Sequence, residues 1–246
     1  MLARPRSGSA ASAAEVENLG HRRGRCQNGH VSVRILLIAD THLGLEERHF
    51  AAYDRALEHA RDVDLVVHGG DVLYRSRVKP GLVFRAFEPL KRIADRGVPV
   101  VVVPGNHERS AIPYPLFAMH PGVHIFDRPR TFGLRVNDVS VAISGFPCER
   151  NGIPERFDAL LGACGEAEAD VHLLALHQSV EGSQVGPVNF TFRSGPDVIP
   201  RRAIPRRFAA VLAGHIHRHQ VLDAGAPVFY PGATERTSSA EAGETK

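Results

Sequence analysis

A chain of 246 residues, 43% hydrophobic and 23% charged, has the length and balance of one globular domain with a sizeable core, and a formal net charge of +3 permits phosphate-bearing partners without requiring any. No apolar run approaches the roughly 18 residues of a membrane-crossing helix, so no membrane association is expected. Cys26, Cys148 and Cys164 are scattered in no paired spacing, which argues against a disulfide framework and a thiolate zinc site and fits a reducing, cytoplasmic compartment.

Residues 1–30 are rich in Ala, Ser, Gly and Arg, with neither strand nor sustained helical periodicity, and read as a flexible N-terminal tail. They lack the apolar stretch of a secretory signal, and Glu15 and Glu17 argue against a transit peptide. Residues 31–246 read as one domain. From Val31 the β-rich runs "VRILLIA", "DLVVHG" and "VPVVVVPG" alternate with the helix-like "EERHFAAYDRALEHARD" and "PGLVFRAFEPLKRIADRG", the mark of βαβ units and a buried parallel sheet. The short runs "HIFD", "TFGLRV" and "VSVAISG" predict antiparallel strands, followed by "VHLLAL", "AAVLAG" and "PVFYPG". The expected class is α/β, two packed sheets flanked by helices.

Five of these runs end in polar residues of one chemical kind: "ILLIADTH" in Asp40 and His42, "LVVHGGD" in Asp71, "VVVVPGNHE" in Asn106 and His107, "HLLALH" in His177, and "AAVLAGHIH" in His215 and His217. Singly, each could cap a turn or sit hydrogen-bonded in the core. Loops beyond the carboxyl ends of parallel strands lie together, so the five clusters are expected to meet at one edge. Carboxylates, an amide oxygen and imidazoles without thiolate suit Mn²⁺, Fe or Zn²⁺. Seven candidate ligands exceed what one ion with an open position takes, which points to two divalent ions with Asp71 as the bridge. Such a pair clamps the attacking and leaving oxygens of a phosphoryl displacement. His107 is either the residue that protonates the departing alkoxide or one that only orients Asn106. His219 is not expected to be a ligand.

In order and residue type, "DTH", "GGD", "GNHE", "LALH" and "GHIH" resemble the five-motif signature of the calcineurin-like metallophosphoesterase superfamily, over Ile35 to His217. The resemblance implies a four-layer αββα double β-sandwich. It implies one metal on Asp40, His42, Asp71 and His217, a second on Asp71, Asn106, His177 and His215, and His107 facing the scissile phosphate. The flanking words "ADTHLG", "GGDVLYRSRVKP", "HQSVEG", "GHIHRHQV" and "YPGATERTS" resemble the nuclease subunit of the double-strand-break repair complex. That resemblance implies a Mn²⁺-dependent DNA exonuclease or endonuclease working with a coiled-coil ATPase, and leaves the oligomeric state open, a homodimer being one option. The Val72-Leu73-Tyr74 sequence after Asp71 differs from the Asp-Arg-Gly of protein Ser/Thr phosphatases.

Two features depart from the nuclease family: Tyr74 stands where it carries a second histidine, and the sequence ends at Lys246, before the family's cap and ATPase-docking region. Arg75, Arg77, Lys79 and Arg218 flank the motifs, with Arg75 and Arg218 the leading candidates for phosphate contacts. "PRRAIPRRF" is either a further phosphate-binding stretch or a solvated surface. A stand-alone phosphodiesterase or phosphatase acting on a small phosphoester is the alternative, because fold does not fix substrate.

Overall fold

A computed structural model describes residues 12–17, 32–108 and 120–241. The first sheet runs β1 (Ser12–Glu17), β2 (Ser32–Ile38), β3 (Leu65–His68), β4 (Val100–Val102) and β5 (Val123–Ile125), with neighbours hydrogen-bonded in that order. Strands β2 to β5 are mutually parallel, and β1 lies antiparallel on the β2 edge. Helix α1 (Glu47–Glu58) makes the crossover from β2 to β3 and α2 (Pro80–Asp95) that from β3 to β4.

The second sheet has the order β14-β15-β13-β8-β7-β6, built from β6 (Arg130–Val136), β7 (Val139–Gly145), β8 (Val171–His177), β13 (Ala210–Gly214), β14 (Gln220–Leu222) and β15 (Val228–Tyr230). A helix, α3 (Ile153–Ala163), connects β7 to β8. Four two-residue strands lie between β8 and β13: β9 (Ser179–Val180), β10 (Gln184–Val185), β11 (Phe190–Thr191) and β12 (Val198–Ile199). Of these, β9 and β12 pair in parallel, and β10 and β11 form an antiparallel hairpin.

Three apolar clusters explain why the strands read as continuous rather than alternating runs. On β2, Ile35 and Leu37 face the second sheet, packing with Ile143, Leu173 and Leu212 in the inter-sheet core. Leu36 and Ile38 face the other way, onto Phe50, Tyr53 and Phe87 of α1 and α2. The outer face of the second sheet is closed by α3, whose Phe157 and Leu160 pack with Leu174 and Val211. A strand buried on both faces has no polar side to show, and the outcome is the expected four-layer αββα sandwich.

Two details differ from the sequence expectation. Val123–Ile125, in the "HIFD" region read as antiparallel, joins β4 in parallel, because the chain returns across the sheet before β6 begins the antiparallel hairpin with β7. Within the tail of residues 1–30, Ser12–Glu17 forms a strand where no periodicity predicts one: the open β2 edge supplies the pairing that its sequence does not demand. The rest of that tail lies outside the described residues, and so does Cys26. Cys148 and Cys164 are free thiols. Among the described residues, no helix is long and apolar enough to cross a membrane.

Candidate metal centre

The carboxyl ends of β2, β3, β4, β8 and β13 meet at one edge of the sandwich. The register sets Gly214 beside His177 across β13 and β8, and the Asp40 amide donates to the Gly70 carbonyl across β2 and β3 at 2.9 Å. The two sheets touch at Gly214, where a Cβ would collide with the Gly69 carbonyl, so only glycine allows this approach. Asp40, His42, Asp71 and His215 adopt left-handed backbone, with φ of 52°, 45°, 51° and 90°. Such residues cost about 1 kcal/mol or more each and persist where the surrounding fold dictates the turn.

The side chains converge. One ligand atom from each member of Asp40–His42–His217, of Asp40–Asp71–His177 and of His42–Asp71–His107 lies within 4.8 Å of the others in its group. The Asn106 Oδ1 sits 3.1 Å from both His177 Nε2 and His215 Nδ1. His42 and His217 face each other through their Nε2 atoms at 3.1 Å. All seven expected ligands and His107 are therefore brought together, whereas His219 is exposed to solvent.

Hydrogen bonds on the far sides of the rings orient them for ligation. His177 donates Nδ1–H to the Gly69 carbonyl at 2.7 Å, and His217 donates Nδ1–H to the Glu241 carboxylate at 3.0 Å. These partners can only accept, so in the neutral rings each Nε2 turns a lone pair inward. His177 Nε2 then faces Asp71 Oδ2 at 3.5 Å and Asn106 Oδ1 at 3.1 Å, a cluster of acceptors that a cation would relieve. The donor set and its spacing thus fit divalent ions.

Electrostatics describe the same demand for positive charge. Burial alone would lower the His177 pKa, but the Asp71 and Asp40 carboxylates push it up to about 9. Burial would raise Asp71, yet His177, His42 and His107 hold it below the usual carboxylate range. Asp40 is raised by burial against the pull of His177 and His217. His42 and His215 are pushed down to about 3, chiefly by burial, and so stand neutral near pH 7 as ligands must.

His107 is the accessible member, its side chain 36% exposed. Its ring donates Nδ1–H to the Tyr74 carbonyl, and its Nε2 lies 3.7 Å from Asp71 Oδ2. Its backbone N–H donates to Asp71 Oδ1 at 2.9 Å. Arg75 is exposed, with its guanidinium 4.6 Å above the Tyr74 ring. Arg218 is instead engaged by the β10–β11 turn, donating to Asn189 Oδ1 at 2.7 Å and to the Gly186 carbonyl at 2.8 Å. A cavity of about 280 Å³ opens beside Asn106 and His215, bordered by Cys148, Arg150 and Gln178.

Three residues that sequence reasoning did not single out support the centre. Glu108 is fully buried, and its carboxylate accepts from the amides of Asp71 at 3.0 Å, Leu73 at 2.8 Å and Gly105 at 2.8 Å, fastening two ligand loops together. Burial and the Asp71 charge push its pKa up to about 8 against the pull of those amides. Its signal was its place directly after His107 in "GNHE". Arg150 donates to the Asn106 carbonyl at 2.7 Å, and Glu241 holds His217; neither follows a strand, so no local pattern marks them.

The family model for calcineurin-like phosphoesterases matches residues 33–219. Among curated proteins, the chain is 25% identical over 229 residues to the DNA double-strand break repair protein Mre11 of Methanopyrus kandleri, covering 82% of this chain and 49% of that protein. It is 31% identical over 227 residues to Mre11 of Methanosarcina mazei, covering 85% of this chain and 34% of that protein. The chain thus spans between a third and a half of the length of these relatives. Among solved structures, a dimetal phosphatase from Danio rerio superposes with a TM-score of 0.50 at 13% identity, covering 83% of this chain and 88% of that one, a likeness of fold. With the motif-bearing strand ends gathered at one edge of an αββα sandwich and the family match extending over residues 33–219, the chain belongs to the calcineurin-like phosphoesterase family.

Proposed function

We propose that the chain is a two-metal phosphodiester hydrolase whose substrate is DNA, cut at ends or in single-stranded regions. The observation that carries this reading is the meeting of Asp40, His42, Asp71, Asn106, His177, His215 and His217 with their inward nitrogens and oxygens unshielded by any thiolate. The similarity to Mre11 proteins supports DNA as the substrate class. On the same reading the partner class is a coiled-coil ATPase, and the three continuous cores support residues 31–246 as one catalytic domain.

Asp40, His42, Asp71 and His217 would hold one ion, and Asp71, Asn106, His177 and His215 the other, Asp71 serving both. Two bound divalent ions, Mn²⁺ foremost given the mixed oxygen and nitrogen donors, would polarise the phosphate and supply hydroxide near neutral pH. His107 hands a proton from its open Nε2–H to the departing alkoxide in its protonated form, while the Tyr74 carbonyl fixes the ring through Nδ1. Glu108 keeps the Asp71 and Gly105 loops in register, so that the bridging carboxylate and Asn106 stay at their separation. Arg75, projecting from the Tyr74 ring, contacts a phosphate flanking the scissile bond.

Hydrolysis of a small phosphoester is the second reading, and the 280 Å³ cavity beside Asn106 and His215 speaks for it. Purified protein with Mn²⁺ is tested on duplex DNA, single-stranded DNA, a small chromogenic diester, a cyclic nucleotide and a phosphopeptide. Cleavage of DNA at low salt is the expected result. Robust turnover of the cyclic nucleotide or phosphopeptide with intact DNA would move the assignment to the small-molecule or phosphoprotein class.

A further inference from the structure

A second cavity lies away from the metal centre. It is an open groove of about 1000 Å³ between the β10–β11 hairpin, the turn at Arg201–Ala203 and the 223–225 loop. Four arginines line it, Arg193, Arg201, Arg202 and Arg206, against the carboxylates of Glu181 and Asp223. Elsewhere Arg34, Arg85, Arg130 and Arg156 each sit against a carboxylate, whereas among the described residues none of the groove arginines forms an ion pair. Glu181 spends its carboxylate on the Arg201 backbone amide at 3.0 Å, and its carbonyl accepts from Arg201 Nε at 3.3 Å. Gly182, with φ of 94°, leaves the space that the Arg201 guanidinium occupies, since a Cβ there would collide with it. Arg201 is thus held in place while its charge stays unpaired.

Aromatic surface adjoins these charges. Phe192 lines the groove and packs edge-on against Phe190 with ring centroids 5.3 Å apart; Phe190 is 58% exposed at the hairpin. A solvent-facing phenyl ring beside unpaired guanidinium groups is the chemistry that takes a flexible polyanion carrying flat bases: phosphates on arginine, a base face on phenylalanine. An acidic peptide would use the charges and leave the ring without a partner.

The groove is joined mechanically to the catalytic edge. Glu181 follows His177 by way of β9, and Arg218, next to His217, grips the hairpin turn at Asn189 and Gly186. Gln184 and Gln220 exchange two further bonds of 2.9 Å each, Gln184 N–H to Gln220 Oε1 and Gln220 Nε2–H to the Gln184 carbonyl. Resting on the DNA reading above, we infer that the groove holds a stretch of single-stranded nucleic acid flanking the bond cut at the metal centre, with Arg193, Arg201, Arg202 and Arg206 on phosphates and Phe190 under a base. Arg218 then serves as the brace that keeps this track aligned with His217.

The test is fluorescence anisotropy of a labelled oligothymidylate on the full chain in chelator, where no cleavage occurs, across a salt series. Arg202→Ala with Arg206→Ala, both exposed positions, removes two phosphate contacts and should flatten the slope of log affinity against log salt by about 1.4, with at least a tenfold loss at low salt. Phe190→Ala should weaken binding roughly tenfold at every salt concentration, since stacking does not depend on counterions. Melting temperature and metal content of each variant report that fold and centre persist. Unchanged affinity and slope in the double variant would overturn the groove while wild-type cleavage of the oligonucleotide with Mn²⁺ leaves the nuclease reading standing. An equal loss on a duplex of the same length would overturn the single-strand assignment. A wild-type protein that hydrolyses a small diester but neither binds nor cuts the oligonucleotide would overturn both.

Discussion

Replacing Glu108 by Gln changes one atom and keeps the shape, which makes it a clean probe of what organises the ligand loops. The carboxylate has two oxygens for three amide donors, Leu73 on Oε1 and Asp71 with Gly105 on Oε2. Gln offers one oxygen, so at least the Leu73 amide meets an NH₂ group, donor against donor, in a fully buried place. Losing one of these amide bonds and leaving a buried donor unsatisfied costs about 2–4 kcal/mol. For a chain of this length that lowers the melting temperature by about 5–15 °C, measured calorimetrically on metal-stripped protein. The same variant should bind less metal, because the Asp71 and Gly105 loops lose their common anchor. A melting temperature and metal content equal to wild type would refute the role of the carboxylate, and with it the account of how Asp71 is placed.

His107→Gln should lower turnover by about 10²–10⁴-fold while metal analysis finds both ions bound; loss of an ion would make His107 a ligand. Asp71→Asn should lose metal and rate together, which mass spectrometry under native conditions and a diester assay check in parallel. Glu241→Leu removes the acceptor that orients His217 and should weaken metal affinity by about 10–100-fold in calorimetric titration. Stripping metal with a chelator should abolish hydrolysis, and Mn²⁺ at about a hundred times its dissociation constant should restore it and add about 2.7 kcal/mol of stability, read as a rise in melting temperature.

Much of this arrangement could be read from the chain because the chemistry sits at the ends of strands. A doubly buried strand announces itself by unbroken apolarity, and the polar residue that breaks the run marks the catalytic edge; Asp40, Asp71, Asn106, His177 and His215 all follow this rule. What sustains the centre follows other rules. Glu108 acts through backbone amides more than thirty positions away in Asp71 and Leu73, and Glu241 reaches His217 from a short turn near residue 240, contacts that no local period encodes. Strands β9 to β12 are two residues each, too short for alternation to be visible, and β5 takes its direction from the return path of the chain rather than from its own residues. Arg218 was legible as a cation near a motif but not as the grip on a distant turn.

The left-handed backbone at Asp40, His42, Asp71 and His215 has a consequence for anyone evolving this enzyme in the laboratory. At His42 and His215, whose side chains accept from no backbone amide among the described residues, glycine would relax the backbone, and asparagine would tolerate it at least as well, while removing or weakening a proposed metal ligand. A library challenged only with heat, in chelating medium, would therefore enrich such replacements first, and the survivors would be sturdier proteins with an emptied catalytic edge. Selection under abundant Mn²⁺ reverses the ranking, since the bound ions then contribute more to survival than the relaxed turns do.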